Sequence, residues 1–133
     1  MTTYFISGHL DLTPEEFEAH YVPKLIEALA DPDSKFIVGD ARGADAMAQK
    51  FLSSRTENVT IFHMFERPRN FVKGYGLRGG FKGDAERDIT MTRHSDADIA
   101  WVRNGREESG TAKNLNRRKK PEKSTRWGTE ARY

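Results

Sequence analysis

Cysteine is absent from this chain of 133 residues, which excludes disulfide frameworks and thiolate metal sites. Long apolar runs are absent too: none approaches the roughly 18–20 residues that a membrane-spanning helix needs, and the first residues lack the pattern of a signal peptide. The four histidines are far apart and show no paired metal-ligand spacing. We therefore expect a cytoplasmic protein with no membrane partner, no metal site and no evident cofactor, with Mg²⁺ beside a phosphate ligand left open.

The formal charge is nearly balanced, at +2, but it is unevenly distributed. Residues 117–133 hold seven Lys and Arg against two Glu, whereas residues 1–116 hold 15 basic against 18 acidic residues. Length and an apolar content of 36% indicate a single globular domain, which we assign to 1–116, followed by a basic C-terminal tail. Such a tail is usually a solvated chain end, and nucleic acid is the alternative partner for it.

Short apolar runs alternate along the chain with stretches of helical periodicity. The runs predict strands at 4–7, 35–38, 59–62 and 97–102. The spacing of apolar residues predicts helices at 14–29, from Ala44 onward, at 84–94 and at 110–118. Thr13, Pro14 and Glu16 form a capping box at the start of the first helix. The alternation predicts a Rossmann-like, three-layer α/β/α fold with a mainly parallel sheet of about four to five strands.

Glycines and polar residues collect directly after the predicted strands. Ligands of an open parallel sheet bind outside the carboxyl ends of its strands, and helix N-termini there present N–H groups to anions. The sequence therefore predicts a pocket for an anionic ligand, with Arg42 contacting a phosphate. The expected ligand-binding residues are Ser7, Gly8, Gly39, Asp40, Arg42, Gly43, Ala44, Arg87, Ser109, Gly110 and Thr111.

Several polar residues in and near these turns could have a structural role in place of a functional one. Asp45 would hold a ribose hydroxyl, or only add a favourable charge to the first turn of its helix. His9 would be a general acid or base, or a loop residue bonded to the backbone. Arg87 and Asp88 would face the pocket or form an exposed ion pair. Ser109 and Thr111 would contribute to an anion site or serve as ordinary N-caps.

Residues 64–83 show no clear periodicity and combine five Lys and Arg, four aromatic residues and five glycines. A loop of this length in a small domain is usually functional or disordered. We interpret it as a lid, whose cations would neutralise phosphate and whose aromatic rings would stack on a base. The alternatives are a surface for single-stranded nucleic acid and a loosely ordered insertion without a ligand.

The stretch GDARGADAMA at residues 39–48 resembles the glycine-rich turn of the SLOG superfamily, and most closely that of its small YspA-like members. The motifs SGH at 7–9, RDITM at 87–91 and SGTAKNL at 109–115 are similar to other signatures of that superfamily. The resemblance implies a Rossmann-like domain that binds a nucleotide or nucleotide-derived metabolite. Because relatives are often dimers or larger, it also leaves a homo-oligomer open.

Some of these relatives cleave or transfer N-glycosidic bonds, so an enzyme acting on a nucleotide is the alternative function. Phosphoribohydrolases carry a catalytic glutamate where this sequence has Asn114, and an amide cannot act as a carboxylate nucleophile or base. Such chemistry would need another carboxylate, either Asp45, Asp88 or Asp40, with His9 as a further catalytic candidate. Val38 also replaces the first glycine of the pattern. Single-stranded nucleic acid binding by the lid and tail is a weaker alternative.

Overall fold

The structure, a computed structural model, describes residues 1–64 and 66–119. Its elements along the chain are β1 (Thr3–Ile6), α1 (Pro14–His20), α2 (Val22–Leu29), β2 (Lys35–Gly39), α3 (Ala44–Leu52), β3 (Val59–Met64), β4 (Gly76–Phe81), α4 (Asp84–Arg93), β5 (Ala97–Ile99) and α5 (Gly110–Lys119). Within these residues the strands form one parallel sheet in the order β4-β3-β2-β1-β5. The predicted fold class is confirmed.

Successive side chains of each strand point to opposite faces of the sheet, and each face carries its own core. On one face, side chains such as Ile6, Val38 and Ile61 pack with α1, α2 and α3. On the other face, Phe5 and Phe62 pack with Met91 of α4, and α5 packs beside α4. The two cores make the three layers that the strand–helix alternation predicts.

The helix predicted at 14–29 is divided into α1 and α2 at Tyr21. Pro23 explains the break, because proline has no N–H to donate and its ring conflicts with the carbonyl four residues earlier. The capping box of α1 is present: the Thr13 side chain accepts from Glu16 N, and the Glu16 side chain accepts from Thr13 N. The fully buried Tyr21 then donates its hydroxyl to the carbonyl of Ser7.

The strand predicted at 97–102 ends already at Ile99. Beyond it the backbone N–H groups turn away from the sheet and find side-chain acceptors instead. Trp101 N donates to the Tyr21 hydroxyl at 3.2 Å, and Arg103 N donates to His9 Nε2 at 2.9 Å. The chain is thereby drawn toward the carboxyl end of β1, which brings residues 100–109 close to the turn after that strand.

The prediction that 64–83 is irregular throughout is wrong, because β4 occupies 76–81 and pairs with β3. Three glycines give this segment little intrinsic strand preference. Tertiary packing decides instead: a Cβ on Gly79 would lie 2.0 Å from the imidazole of His63, so only glycine allows this approach. Phe81 stacks on Phe62 in the second core, with ring centroids 5.9 Å apart.

Hydrogen bonds connect the segment before β4 to α3 and to the turn after β2. Gln49 of α3 donates to the carbonyl of Asn70 and accepts from Val72 N, at 3.1 and 3.0 Å. Asn70 Nδ2 donates in turn to the carbonyl of Asp40 at 3.0 Å. The part of the predicted lid at 69–72 is therefore held in place by hydrogen bonds in this structure.

The C-terminal helix α5 extends through Lys119 and so includes the first three residues assigned to the basic tail. Arg118 forms an ion pair with Asp98 at 2.7 Å and donates to the carbonyl of Ser95. The rest of the predicted tail, 120–133, lies outside the described residues. In the part of the chain that the structure describes, no helix is long and apolar enough to cross a membrane.

Candidate functional site

A cavity of about 490 Å³ opens at the carboxyl end of the sheet. It lies where the chain leaves β1 for the helices of one face and leaves β5 for α5 on the other face, which is the usual ligand position in such sheets. The structure brings most of the predicted site residues to its lining. These are Ser7, Gly8, His9, Gly39, Arg42, Asp45, Arg87, Asp88, Ser109, Gly110 and Thr111.

Three predicted ligand-binding residues, Asp40, Gly43 and Ala44, do not line the cavity. Gly43 has a φ of 76°, and a Cβ there would lie 2.4 Å from the carbonyl oxygens of His9 and Leu10. Ala44 is fully buried in the first core. Gly43 and Ala44 are therefore required by packing between the turn after β1 and the start of α3.

Gly8 lines the cavity, but packing already explains why it is glycine. A Cβ at this position would lie 2.3 Å from the Tyr21 hydroxyl and 2.4 Å from the Cβ of Ala44. The close contact of β1, α1 and α3 thus depends on the missing side chain. The glycine in SGH needs no ligand to account for it.

Asp40 is fully buried and binds two arginines. Arg69 donates to it from its backbone N at 2.7 Å and from Nη2 at 2.8 Å, and Arg87 Nη1 donates at 2.9 Å. Burial raises the pKa of Asp40, but the hydrogen bonds and charge of Arg69, together with the charge of Arg87, outweigh it, so the pKa lies below the ordinary 3.8. Asp40 is an ionised group that orients two guanidinium groups of the cavity lining.

Arg87 is only 6% exposed, so the alternative of an exposed Arg87–Asp88 pair does not hold. Its guanidinium also contacts Asp84 and Asp88, each at 3.2 Å. The second oxygen of Asp88 accepts from Asn114 Nδ2 at 3.2 Å, and the amide oxygen of Asn114 accepts from Arg117. Both oxygens of Asp88 are therefore engaged, and Asn114 joins α4 to α5.

Asp45 is buried in the first turn of α3 and lines the cavity. Its Oδ2 accepts from Ala41 N at 3.2 Å, and a Cβ on Gly39 would lie only 2.6 Å from that oxygen. Burial raises the pKa of Asp45 to about 7, although the charge of Arg87 and the hydrogen bond from Ala41 lower it in part. A carboxyl whose pKa lies near neutral pH differs from the fully ionised helix-start residue that was the structural alternative.

His9 is 3% exposed, and its Nε2 accepts the hydrogen bond from Arg103 N. The donor fixes the tautomer, because an accepting Nε2 leaves the ring proton on Nδ1. Burial lowers the pKa of His9, and the charges of Arg103 and Arg106 lower it further. The structural alternative, a loop histidine bonded to the backbone, describes this residue.

The start of α5 combines a serine that caps the helix with a glycine that has free space beside its Cα. Ser109 Oγ accepts from Ala112 N at 3.2 Å, so the expected N-cap is present. The N–H groups of Gly110 and Thr111 have no acceptor within the helix, as at any helix start. A Cβ on Gly110 would meet nothing within 4 Å, so this end of the helix is open to an approaching group.

Two further polar groups of the lining have no partner among the described residues. Ser7 is 7% exposed, and its Oγ is a buried hydroxyl without a hydrogen-bond partner. Arg42 is exposed and forms no hydrogen bond or ion pair within 1–64 and 66–119. A buried hydroxyl left unsatisfied costs free energy unless something binds to it, which makes Ser7 a candidate contact for a ligand.

The lining also contains residues that the sequence did not point to as site residues: Phe5, Ile6, Leu10, Asp11, Ala41, Asp84, Arg106 and Asn114. Arg106 pairs with Asp11 at 2.8 Å, a contact between residues far apart in the chain that no local pattern signals. Of the cations predicted for the lid, Arg69 alone reaches the lining. The others, Arg67, Lys73, Arg78 and Lys82, are exposed elsewhere.

Among the residues described, no group of three or more His, Asp or Glu side chains is arranged to hold a metal ion. Comparisons of the chain with protein-family models, with curated proteins and with solved structures find no match.

Proposed function

We propose that the protein binds a nucleotide or nucleotide-derived metabolite in the cavity at the carboxyl end of the sheet. The observation that carries the proposal is the set of unused polar groups around one cavity: the Arg42 guanidinium, the first N–H groups of α5 and the buried Ser7 hydroxyl. The volume of about 490 Å³ is that of a small-molecule site. The SLOG-like motifs support the same ligand class.

In the proposed complex the phosphate lies against the N–H groups of Gly110 and Thr111, where the helix dipole favours an anion. Arg42 supplies a positive charge and two parallel donors for the same group. The hydroxyl of Ser7 and the carboxyl of Asp45 are left for hydroxyl groups of the ligand. Gly110 allows the close approach, since its Cα carries no side chain.

The test begins with thermal unfolding of the full chain against AMP, dCMP, dTMP, NAD, ADP-ribose, cyclic nucleotides and a short single-stranded oligonucleotide. A ligand at 100 times its Kd adds about 2.7 kcal/mol to the free energy of unfolding, which raises the Tm by several degrees. If only the oligonucleotide raises the Tm, the ligand is nucleic acid and the cavity assignment is wrong.

The residue-level test is Arg42→Ala, with Arg67→Ala as a matched control at another exposed arginine outside the cavity. We expect Arg42→Ala to abolish binding of the active nucleotide in titration calorimetry while the Tm of the free protein stays unchanged. Arg67→Ala should leave the affinity as it is. Equal affinities for the two variants would contradict the role of Arg42.

An enzyme that cleaves the N-glycosidic bond of a nucleotide is the second candidate, and Asp45 is the observation that favours it. A carboxyl with a pKa of about 7 gains and loses a proton near neutral pH, as a general acid or base must. Asp88 is less suited, because both of its oxygens are engaged. The candidate predicts release of free base over time, which is lost in Asp45→Asn even at nucleotide concentrations that saturate the variant.

A further inference from the structure

We infer that the cavity recognises the sugar and phosphate of its nucleotide and leaves the base unselected. The inference rests on the proposed function and goes beyond it, because it states which part of the ligand the protein distinguishes. It follows from the charged side chains of the lining, from the positions of the aromatic rings and from the hydrogen bonds of Asn114.

The lining is unusually rich in charged side chains for a small-molecule site. Such pockets are mostly apolar and aromatic, with a few polar groups that orient the ligand. Here the lining carries four arginines and four aspartates, namely Arg42, Arg69, Arg87, Arg106, Asp11, Asp45, Asp84 and Asp88. Charged side chains in this number complement hydroxyl and phosphate groups.

Aromatic rings are nearly absent from the lining. Among the described residues only Phe5 and His9 contribute a ring, and both are almost completely buried, at 1% and 3% exposure. Of the aromatic side chains of the predicted lid that the structure describes, Tyr75 packs against the first core, Phe81 stacks on Phe62, and Phe71 is exposed outside the lining. Aromatic stacking is a general way for proteins to hold a base, and the described lining offers no exposed ring for it.

Hydrogen-bond recognition of a base edge is also limited. Side-chain amides are well suited to it, since they donate and accept side by side, and Asn114 is the one amide in the described lining. Its nitrogen donates to Asp88 and its oxygen accepts from Arg117. Reading a base edge would require Asn114 to give up contacts that connect α4 and α5.

The groups that remain free suit a sugar phosphate. Arg42 and the first N–H groups of α5 are available to the phosphate. The Ser7 hydroxyl has no hydrogen-bond partner among the residues described, and Asp45 uses one oxygen for Ala41 N. Sugar hydroxyls both donate and accept hydrogen bonds, so they match a serine and a carboxyl placed in the same cavity.

The experiment measures Kd by titration calorimetry for AMP, GMP, CMP, UMP and ribose 5-phosphate with the full chain. We expect the five Kd values to lie within tenfold of one another. Asp45→Asn should then weaken binding of AMP and of ribose 5-phosphate by the same factor, because both would use the same sugar contact. Arg67→Ala again serves as the control outside the cavity.

A spread of more than tenfold among the four nucleotides would overturn the inference while leaving the proposed function standing. The same holds if ribose 5-phosphate binds more than tenfold more weakly than AMP, or if Asp45→Asn weakens AMP alone. If none of the five compounds binds and no other member of the nucleotide panel raises the Tm, the proposed function fails together with the inference.

Discussion

Replacing Asp45 by asparagine tests how strongly the fold disfavours a charge at the bottom of the cavity. Burial raises the pKa of Asp45 from the ordinary 3.8 to about 7, and this difference corresponds to roughly 4 kcal/mol at 1.36 kcal/mol for each pKa unit. Between about pH 4 and pH 7 the folded protein binds more protons than the unfolded chain. The free energy of unfolding therefore falls as the pH rises through this window.

Asparagine has nearly the same shape, cannot ionise, and can still accept the hydrogen bond from Ala41 N. The variant should therefore gain stability relative to the parent by roughly 3 kcal/mol between pH 4.5 and pH 8.5. Urea unfolding followed by circular dichroism at a series of pH values measures the difference. Asp33→Asn, at an exposed position, controls for removal of one carboxylate. A difference between parent and Asp45→Asn that does not change with pH would refute the reasoning.

The remaining predictions concern stability at two other positions. Asp40→Ala removes the fully buried carboxylate that binds Arg69 and Arg87, so that Arg87 keeps only Asp84 and Asp88. It should cost about 1.5–3 kcal/mol in urea unfolding; a loss under about 1 kcal/mol would contradict the structural role of Asp40. Gly79→Ala places a Cβ 2.0 Å from the His63 ring and should cost about 1–3 kcal/mol. Gly76→Ala, on the same strand with 3.5 Å to its nearest neighbour, is its control, and equal losses would argue against the His63 contact.

Periodicity and local capping were enough to predict most of the elements. The capping box at Thr13 is present, and helices begin at Ala44, Asp84 and Gly110 close to the expected positions. These features depend on residues three or four positions apart, whose interactions form within a single turn. The sequence also predicted that the polar turns lie at the carboxyl ends of the strands, because parallel strands bring those ends to the same edge of the sheet.

Predictions from local sequence patterns failed where contacts with residues distant in the chain determine the structure. The strand β4 has poor intrinsic preference and forms beside β3, where Gly79 packs against His63. The glycine of SGH suggested close approach of a ligand, yet Tyr21 and Ala44 already require it. The order within the predicted lid also depends on distant residues, since contacts with Asp40 and Gln49 hold its residues 69–72 in place.

The sequence by itself determined a parallel α/β domain whose glycine-rich turns and helix starts meet at one edge, because alternation and capping are local properties of the chain. Only the tertiary structure decided which polar groups remain available there. Asp40 and Asp45 stand five residues apart and look equivalent in the sequence. Folding surrounds Asp40 with Arg69 and Arg87, which keep it ionised, and buries Asp45 without an ion pair among the described residues. Burial and the arrangement of distant charges set the chemistry of each carboxyl, and neither is a local property.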